Sequence, residues 1–154
     1  MEGTVELLRG MEFRATGSSG HSITLDAASE VGGTNQGLRP MELLLLGLGG
    51  CTGMDVISIL RKMRQDVTGY QVRLKGDRAD EHPKVFTEIA VEHIVRGHKI
   101  NPDSVKRAIE LSATRYCSAM AMLGKTATIT ESYRVIDEST GAEVVGALGY
   151  EGHP

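Results

Sequence analysis

The sequence has no tryptophan, and its other aromatic side chains are only two Phe and four Tyr among 154 residues. Proteins bind single-stranded nucleic acids by combining aromatic stacking platforms with a positively charged groove. The formal net charge of −3 does not supply the positive part, and it gives no attraction to an anionic membrane surface. We therefore expect neither a nucleic acid nor a membrane as partner.

The chain also lacks a long apolar run free of charge and glycine. The strongest candidate covers residues 41–60, where only 43–54 carry no charge and four glycines interrupt the run. A membrane span needs about 20 apolar residues, so we predict a buried core helix instead. The start, MEGTVELLRG, has no apolar stretch of the signal-peptide kind. With only two cysteines, this predicts a reducing, cytoplasmic location.

What is present fits one globular domain over 1–154, with 40% hydrophobic and 24% charged residues. Strands grouped before and after helices predict an α+β fold with antiparallel sheets. The tail, 137–154, has no clear period, and we expect it to be loosely held. In chain order, the predicted elements are strands near 5–7, 11–16 and 21–27, a glycine-rich loop over 30–39, a helix from Pro40 to about Gln65, a hairpin over 70–96, a helix from Pro102 to about Tyr116, helical turns over 118–123 and a strand over 127–135.

Four glycines lie in the predicted long helix, at 47, 49, 50 and 53. Each should cost the helix about 1 kcal/mol relative to Ala. One explanation is that another backbone, such as that of a partner subunit, packs closely against them. The other is local weakness of the helix, and the sequence leaves both open.

Cys51 lies three turns into this helix, beyond the reach of the helix dipole. Asp55 follows at i+4 on the same face, and a nearby carboxylate disfavours a thiolate. By local physics alone Cys51 is a poor nucleophile.

Cys117 lies where one helix should end and the next should begin. Backbone N–H groups at a helix start lower the pKa of a thiol, and Arg115 is two residues away. Local physics therefore predicts that Cys117 is the more acidic thiol.

Both cysteines could instead be ordinary core residues, because Cys is among the most buried residue types. They are separated by 66 residues, which matches neither a CxxC pair nor a zinc motif. We predict no metal and no cofactor. His93, on an apolar strand face, is expected to be a core histidine with its hydrogen bonds satisfied.

Two segments, GTNQGLRPMELLLLGLGGCTGMDV and TRYCSAMAML, resemble the OsmC/Ohr family of osmotically inducible and organic hydroperoxide resistance proteins. In that family a G-T-N-P-like loop leads through Pro-Glu into a buried helix that carries the first cysteine. The resemblance implies an intertwined homodimer with the cysteines at the subunit interface. It covers nearly the whole chain.

The resemblance also implies the reduction of organic hydroperoxides in oxidative-stress defence. Cys51 would be the peroxidatic thiol and Cys117 the resolving thiol. A sulfenic acid on the first would condense with the second to a disulfide, which a small dithiol, lipoyl-like in some members, would reduce.

Two departures from the family pattern concern the activating groups. The residue after the helix-opening Pro40 is Met41 where the family has a catalytic Glu, and Glu42 comes one residue later, about 100° round the helix. The family's early-strand Arg has no counterpart in the matching stretch. Arg39 is the nearest Arg, and Arg14 is a more remote alternative. These departures predict slow peroxidase activity.

Two other functions therefore stay open. One is a non-catalytic protein that binds a small ligand or a partner on the same scaffold. The other is a redox sensor that forms a Cys51–Cys117 disulfide.

Overall fold

A computed structural model of the protein describes residues 1–149. Within them the chain divides into two compact units, Met1–Leu45 and the part that begins at Leu46. The expectation of one domain over 1–154 stays a prediction. The predicted α+β class with antiparallel sheets and a long helix is confirmed.

The first unit is built on a meander of three antiparallel strands, β1 (Gly3–Arg9), β2 (Glu12–Gly17) and β3 (Ser22–Leu25). Gly10 and Gly20 make the two turns with φ values of +52° and +82°. Glycine takes this left-handed conformation without steric cost. The predicted antiparallel strands are confirmed.

Asp26 organises the glycine-rich loop that follows β3. Its buried carboxylate accepts hydrogen bonds from the Ala27 N–H (2.7 Å), the Thr34 N–H and hydroxyl (3.0 and 2.8 Å) and the Gln36 N–H (3.1 Å). These donors, the Gln36 amide foremost, lower the pKa of Asp26 from 3.8 to about 2. At Gly33 a Cβ would collide with the Ala27 backbone, so only glycine fits there.

The long helix α1 runs from Pro40 to Lys62. Its start is a capping arrangement, because the Glu42 carboxylate accepts the Arg39 backbone N–H at 2.9 Å. Pro40 occupies the first helical position, where its missing N–H costs nothing. The helix ends three residues before the predicted Gln65, and Arg64 follows in the left-handed conformation.

The sequence predicts that α1 is a buried core helix. For the single chain this prediction is wrong, because α1 is only partly buried. Leu48, Val56 and Leu60 are completely buried, but Leu46 is 49% and Met54 74% exposed. By length and composition alone the helix could cross a membrane, a test that core helices of soluble proteins also pass.

The glycines of α1 divide into two pairs. A Cβ at Gly49 would meet Leu74, and one at Gly53 would touch Tyr70 and Val72. Close packing therefore explains the glycine at Gly49, although the neighbour is a side chain of the same chain, whereas the contacts at Gly53 would be ordinary van der Waals contacts. Cβ atoms at Gly47 and Gly50 would meet nothing within 4 Å in the single chain.

The second unit contains a four-stranded sheet in the order β4-β5-β6-β7. The predicted hairpin is confirmed as the antiparallel pair β4–β5, whereas β5 and β6 pair in parallel because a helical crossover connects them. The tail is more ordered than expected, since β7 pairs with β6; residues 150–154 lie outside the described residues. The strands are β4 (Asp66–Arg78), β5 (Phe86–His98), β6 (Thr128–Asp137) and β7 (Glu143–Leu148).

The crossover consists of α2 (Pro102–Leu111), a π-helical segment (Ser112–Tyr116) and α3 (Ser118–Leu123). Asn101 caps α2, since its side chain accepts the Asp103 N–H at 2.9 Å. The apolar face of α2 packs into the core of this unit. That core contains Val56, Leu60, Val95, Ile100, Val105, Ala108, Ile109, Tyr133, Val135 and Leu148.

His93 is fully buried in this unit, with a partner on each ring nitrogen. The Tyr70 hydroxyl lies 2.6 Å from Nδ1, and Glu131 Oε1 lies 3.1 Å from Nε2. The prediction of a satisfied core histidine is confirmed.

Candidate functional site

The two cysteines meet in the second unit. Cys51 lies on α1 and Cys117 directly before α3, yet their Sγ atoms and a carboxylate oxygen of Asp55 all lie within 4.8 Å of one another. Both thiols are free. The fold therefore brings together two sulfurs that are 66 residues apart in the sequence. Their chemical roles stay predictions.

The π-helical segment sets the position of Cys117. The Cys117 N–H donates to the Ser112 carbonyl at 2.8 Å, and the backbone then becomes extended before α3 begins. Cys117 is thus the N-cap of α3, and its Sγ accepts the Met120 N–H at 3.4 Å. The predicted location of this thiol at a helix start is confirmed.

Burial nevertheless reverses the expected acidity of Cys117. The side chain is only 3% exposed, and burial raises the pKa of its thiol from 9.0 to about 12. The Met120 N–H lowers this pKa, but by less, while Cys51 and Asp55 raise it further. The prediction of an acidic Cys117 is wrong, because desolvation outweighs the helix end. Cys51 is only half-buried.

Asp55 is held in place by two buried hydroxyls that the sequence analysis missed. The Ser112 hydroxyl lies 3.1 Å from Asp55 Oδ2 and 3.0 Å from Thr52 Oγ1. Because Ser112 donates its one hydroxyl proton to Asp55 Oδ2, the hydrogen bond between the two hydroxyls has Thr52 as its donor. The only sequence signal was that Thr52 adjoins Cys51.

Arg115 lies on the surface and lines the same hollow as Cys117. Its guanidinium carbon is 5.5 Å from the centre of the Tyr116 ring, a cation–π contact. Together with Lys125 and Cys117 it lines a shallow hollow of about 290 Å³. Its role in activating a thiol stays a prediction.

The other candidate activating residues belong to the first unit and have structural partners there. The Arg39 guanidinium donates to the carbonyls of Gly37 (2.8 Å) and Asp26 (3.2 Å) and to the Asn35 side chain. Glu42 caps α1. Arg14 is exposed on β2, opposite Glu6 of β1. Their proposed action on the thiols stays a prediction.

The long helix carries one cysteine and lies beside a small mixed sheet, and the crossover carries a second cysteine. These features together define the class of protein to which the chain belongs. Residues 33–132 match the family model described as OsmC-like protein. The chain belongs to the OsmC family, and this membership indicates a redox or peroxide-related role.

Individual relatives extend the match over most of the chain. Protein YhfA of Escherichia coli K12 is 40% identical over 136 residues, which cover 88% of this chain and 98% of YhfA. The crystal structure of a hypothetical protein from Aquifex aeolicus VF5 is 36% identical, with a TM-score of 0.79 over 89% of this chain and 96% of that one. An organic hydroperoxide resistance protein from Legionella pneumophila shares the fold at 12% identity, with a TM-score of 0.65 over 86% of this chain and 96% of that one.

Proposed function

We propose that this protein is a homodimeric thiol peroxidase that reduces organic hydroperoxides through a two-cysteine cycle. The observation that carries the proposal is the pairing of one half-buried thiol, Cys51, with one buried thiol, Cys117, within 4.8 Å. Family membership supports it, since OsmC/Ohr proteins are commonly homodimers that act on hydroperoxides.

In the first step the Cys51 thiolate attacks the O–O bond of the hydroperoxide. The sulfur gains one oxygen and becomes a sulfenic acid, while the other oxygen leaves as an alkoxide and takes a proton to give the alcohol. We assign this step to Cys51 because solvent reaches this residue, and a hydroperoxide must also reach the sulfur that attacks it. Cys117 stays protonated at neutral pH, since burial raises its pKa to about 12.

In the second step the Cys117 sulfur displaces the sulfenic oxygen, and the products are a Cys51–Cys117 disulfide and water. A disulfide requires an S–S distance of about 2.05 Å, so the sulfurs close from their present separation of at most 4.8 Å. A dithiol reductant, such as a lipoyl-like group, then restores both thiols by exchange.

We expect the first step to be slow. Asp55 lies beside the thiols, and a carboxylate opposes thiolate formation. Met41 replaces the family's Glu, and the nearest family-like Arg, Arg39, is bonded to loop acceptors.

Stopped-flow reduction of tert-butyl hydroperoxide tests the proposal. The thiols of the wild type should be oxidised in a kinetic phase whose rate is proportional to the peroxide concentration. The variant Cys51→Ser should lack this phase. Cys117→Ser should keep one turnover and accumulate a sulfenic acid that dimedone traps. If the wild type and Cys51→Ser reduce the hydroperoxide at equal rates near the background, the peroxidase assignment is wrong.

The homodimer and a cytoplasmic location belong to this proposal. Apolar residues of β1 and α1 that are exposed in the single chain, such as Val5 (62%) and Met54 (74%), offer surface that a second copy would cover. Two free thiols persist in a reducing compartment.

A non-catalytic binding protein is the second candidate. Glu42 and Arg39 are the residues that could replace the catalytic Glu and Arg of the family. In this protein Glu42 caps α1 and Arg39 donates hydrogen bonds to carbonyls of the glycine-rich loop, and these structural roles favour a non-catalytic protein. Thiol titration separates the candidates, since rapid alkylation of one thiol near neutral pH favours chemistry. A redox sensor would form the same disulfide without turnover by a reductant.

A further inference from the structure

Asp55 has no task in the two-cysteine cycle. Its carboxylate nevertheless lies with the Cys51 and Cys117 sulfurs, and the three potential ligand atoms are all within 4.8 Å of one another. A carboxylate beside two thiols is unfavourable for peroxide chemistry. Thiolate sulfur and carboxylate oxygen are both ligands of Zn²⁺, a borderline-soft divalent cation.

The spacing of the three atoms suits a tetrahedral ion. Zn–S bonds of about 2.3 Å place two sulfur ligands about 3.8 Å apart, so the present limit of 4.8 Å requires at most a small side-chain adjustment. Cys51 and Asp55 are one helical turn apart on α1, which presents both donors on one face.

The surroundings of the ligands resemble the outer shell of a metal site. Ser112 donates to Asp55 Oδ2 at 3.1 Å and is itself bonded to Thr52, and both hydroxyl residues are 0% exposed. This holds the Asp55 carboxylate in place beside the two sulfurs. The Met120 N–H donates to the Cys117 sulfur at 3.4 Å. Hydrogen bonds of this kind fix ligands and tune the metal.

We propose that Cys51, Asp55 and Cys117 form a binding site for a divalent cation of the Zn²⁺ type. Three protein ligands leave the fourth tetrahedral position to water or to a small thiol or carboxylate ligand, as in open rather than structural zinc sites. On binding, the cation replaces the two thiol protons, which pass to solvent. Neither sulfur changes oxidation state.

The sequence spacing gave no hint of this site, because the cysteines are 66 residues apart and only the crossover brings them together. The proposal does not depend on the peroxidase activity. A bound cation would hold both sulfurs and so protect them from peroxide, and the two functions would compete for the same thiols.

Anaerobic titration of the fully reduced protein with Co²⁺ tests the proposal without peroxide. We expect thiolate-to-cobalt charge-transfer absorption that saturates at one Co²⁺ per chain and is displaced by Zn²⁺. Cys51→Ser and Cys117→Ser should each weaken the charge-transfer band and lower the affinity at least a hundredfold. Loss of the outer-shell bond in Ser112→Ala should cost about 10- to 100-fold.

Asp55→Asn is the most specific variant, and Asp80→Asn, at an exposed position in the β4–β5 turn, is its matched control. We expect the first to weaken Co²⁺ binding at least tenfold and the second to leave it unchanged. Absence of thiolate-to-cobalt absorption in the wild type at millimolar Co²⁺ would overturn the proposal, and this result needs no variant to fold. Equal affinities of Asp55→Asn and the wild type would also overturn it.

Discussion

At the scale of single residues, the reactivity of the site depends on how much water reaches each sulfur. Cys117 has the helix-start donor that the sequence predicts, yet its thiol is 3% exposed and its pKa is raised to about 12. Desolvation acts on the whole charge of a thiolate, whereas one N–H donor offsets only part of that cost. Burial of this kind arises from tertiary packing, and for that reason local sequence physics missed the raised pKa of Cys117.

The two thiols should therefore differ sharply in alkylation. With a pKa of about 12, the thiolate fraction of Cys117 at pH 7 is about 10⁻⁵ and rises about tenfold per pH unit. A short pulse of iodoacetamide at pH 7, followed by peptide mass spectrometry, should label Cys51 first and Cys117 only at alkaline pH. In the unfolded protein both should react alike. Earlier or equal labelling of Cys117 in the folded protein would contradict this ranking.

The hydroxyl chain from Thr52 through Ser112 to Asp55 was not predictable either. Its members come from α1 and from the π-helical segment, and they meet only because α2 packs against α1. By contrast, Asn101 directly precedes Pro102, and Asn before a helix-opening Pro is a local pattern typical of an N-cap. Local chemistry is visible in the sequence, and contacts between elements are not.

At the scale of elements, the glycine-rich loop shows what one buried carboxylate does. The donors on Asp26 come from residues 27, 34 and 36, so one side chain joins both ends of the loop. Its pKa is about 2 in the folded protein against an ordinary 3.8. The stability that Asp26 contributes is therefore complete above pH 3.8 and is lost as the pH falls towards 2.

Asp26→Asn should remove this pH dependence. With the amide oxygen in the place of Oδ2, where Thr34 and Gln36 donate, the new N–H₂ donor would face the Ala27 N–H and that hydrogen bond would be lost, so we also expect the Tm at neutral pH to fall by several degrees. Urea unfolding at pH 4.5 and pH 2.5 measures the effect. The wild type should lose more stability between these pH values than Asp26→Asn, and Asp80→Asn should behave like the wild type. Parallel pH profiles for wild type and Asp26→Asn would show that the loop carboxylate does not carry this stability.

Most elements were predictable from their periodicity, and the exception is instructive. The β4–β5 hairpin alternates between a wet and a dry face, which made it visible. Strand β7 is different, because Val144 and Val145 are adjacent and both are exposed. An edge strand with neither face fully buried has no period of two, and only its pairing with β6 identifies it.

At the scale of the whole molecule, the single chain exposes several large apolar side chains. Every residue of β1 is exposed, including Val5 and Leu7, and Met54 projects from α1 with 74% of its surface exposed. Gly47 and Gly50 have open space around them. A second copy packed on these surfaces would explain both features, in line with the homodimer that we propose.

Met54→Lys should weaken this dimer. An unpaired charge in a buried interface costs several kcal/mol, which corresponds to a loss of affinity on the order of 10²-fold or more. Sedimentation velocity should show a dimer for the wild type and a monomer at micromolar concentration for the variant. Gln71→Lys is the control, because Gln71 is an exposed polar residue of β4 and the substitution adds the same charge without changing an exposed apolar side chain. A monomeric wild type, or a Met54→Lys variant that stays dimeric, would refute the interface.

The account as a whole depends on the two sulfurs acting as a pair, and the stoichiometry of oxidation tests this most directly. Reduced protein is titrated with an organic hydroperoxide without reductant, and free thiols and disulfide-linked peptides are then measured. The account predicts that one equivalent of hydroperoxide per chain consumes both thiols and produces one Cys51–Cys117 disulfide, with release of the alcohol. Recovery of both thiols after excess hydroperoxide, or oxidation of one thiol without that disulfide, would contradict it.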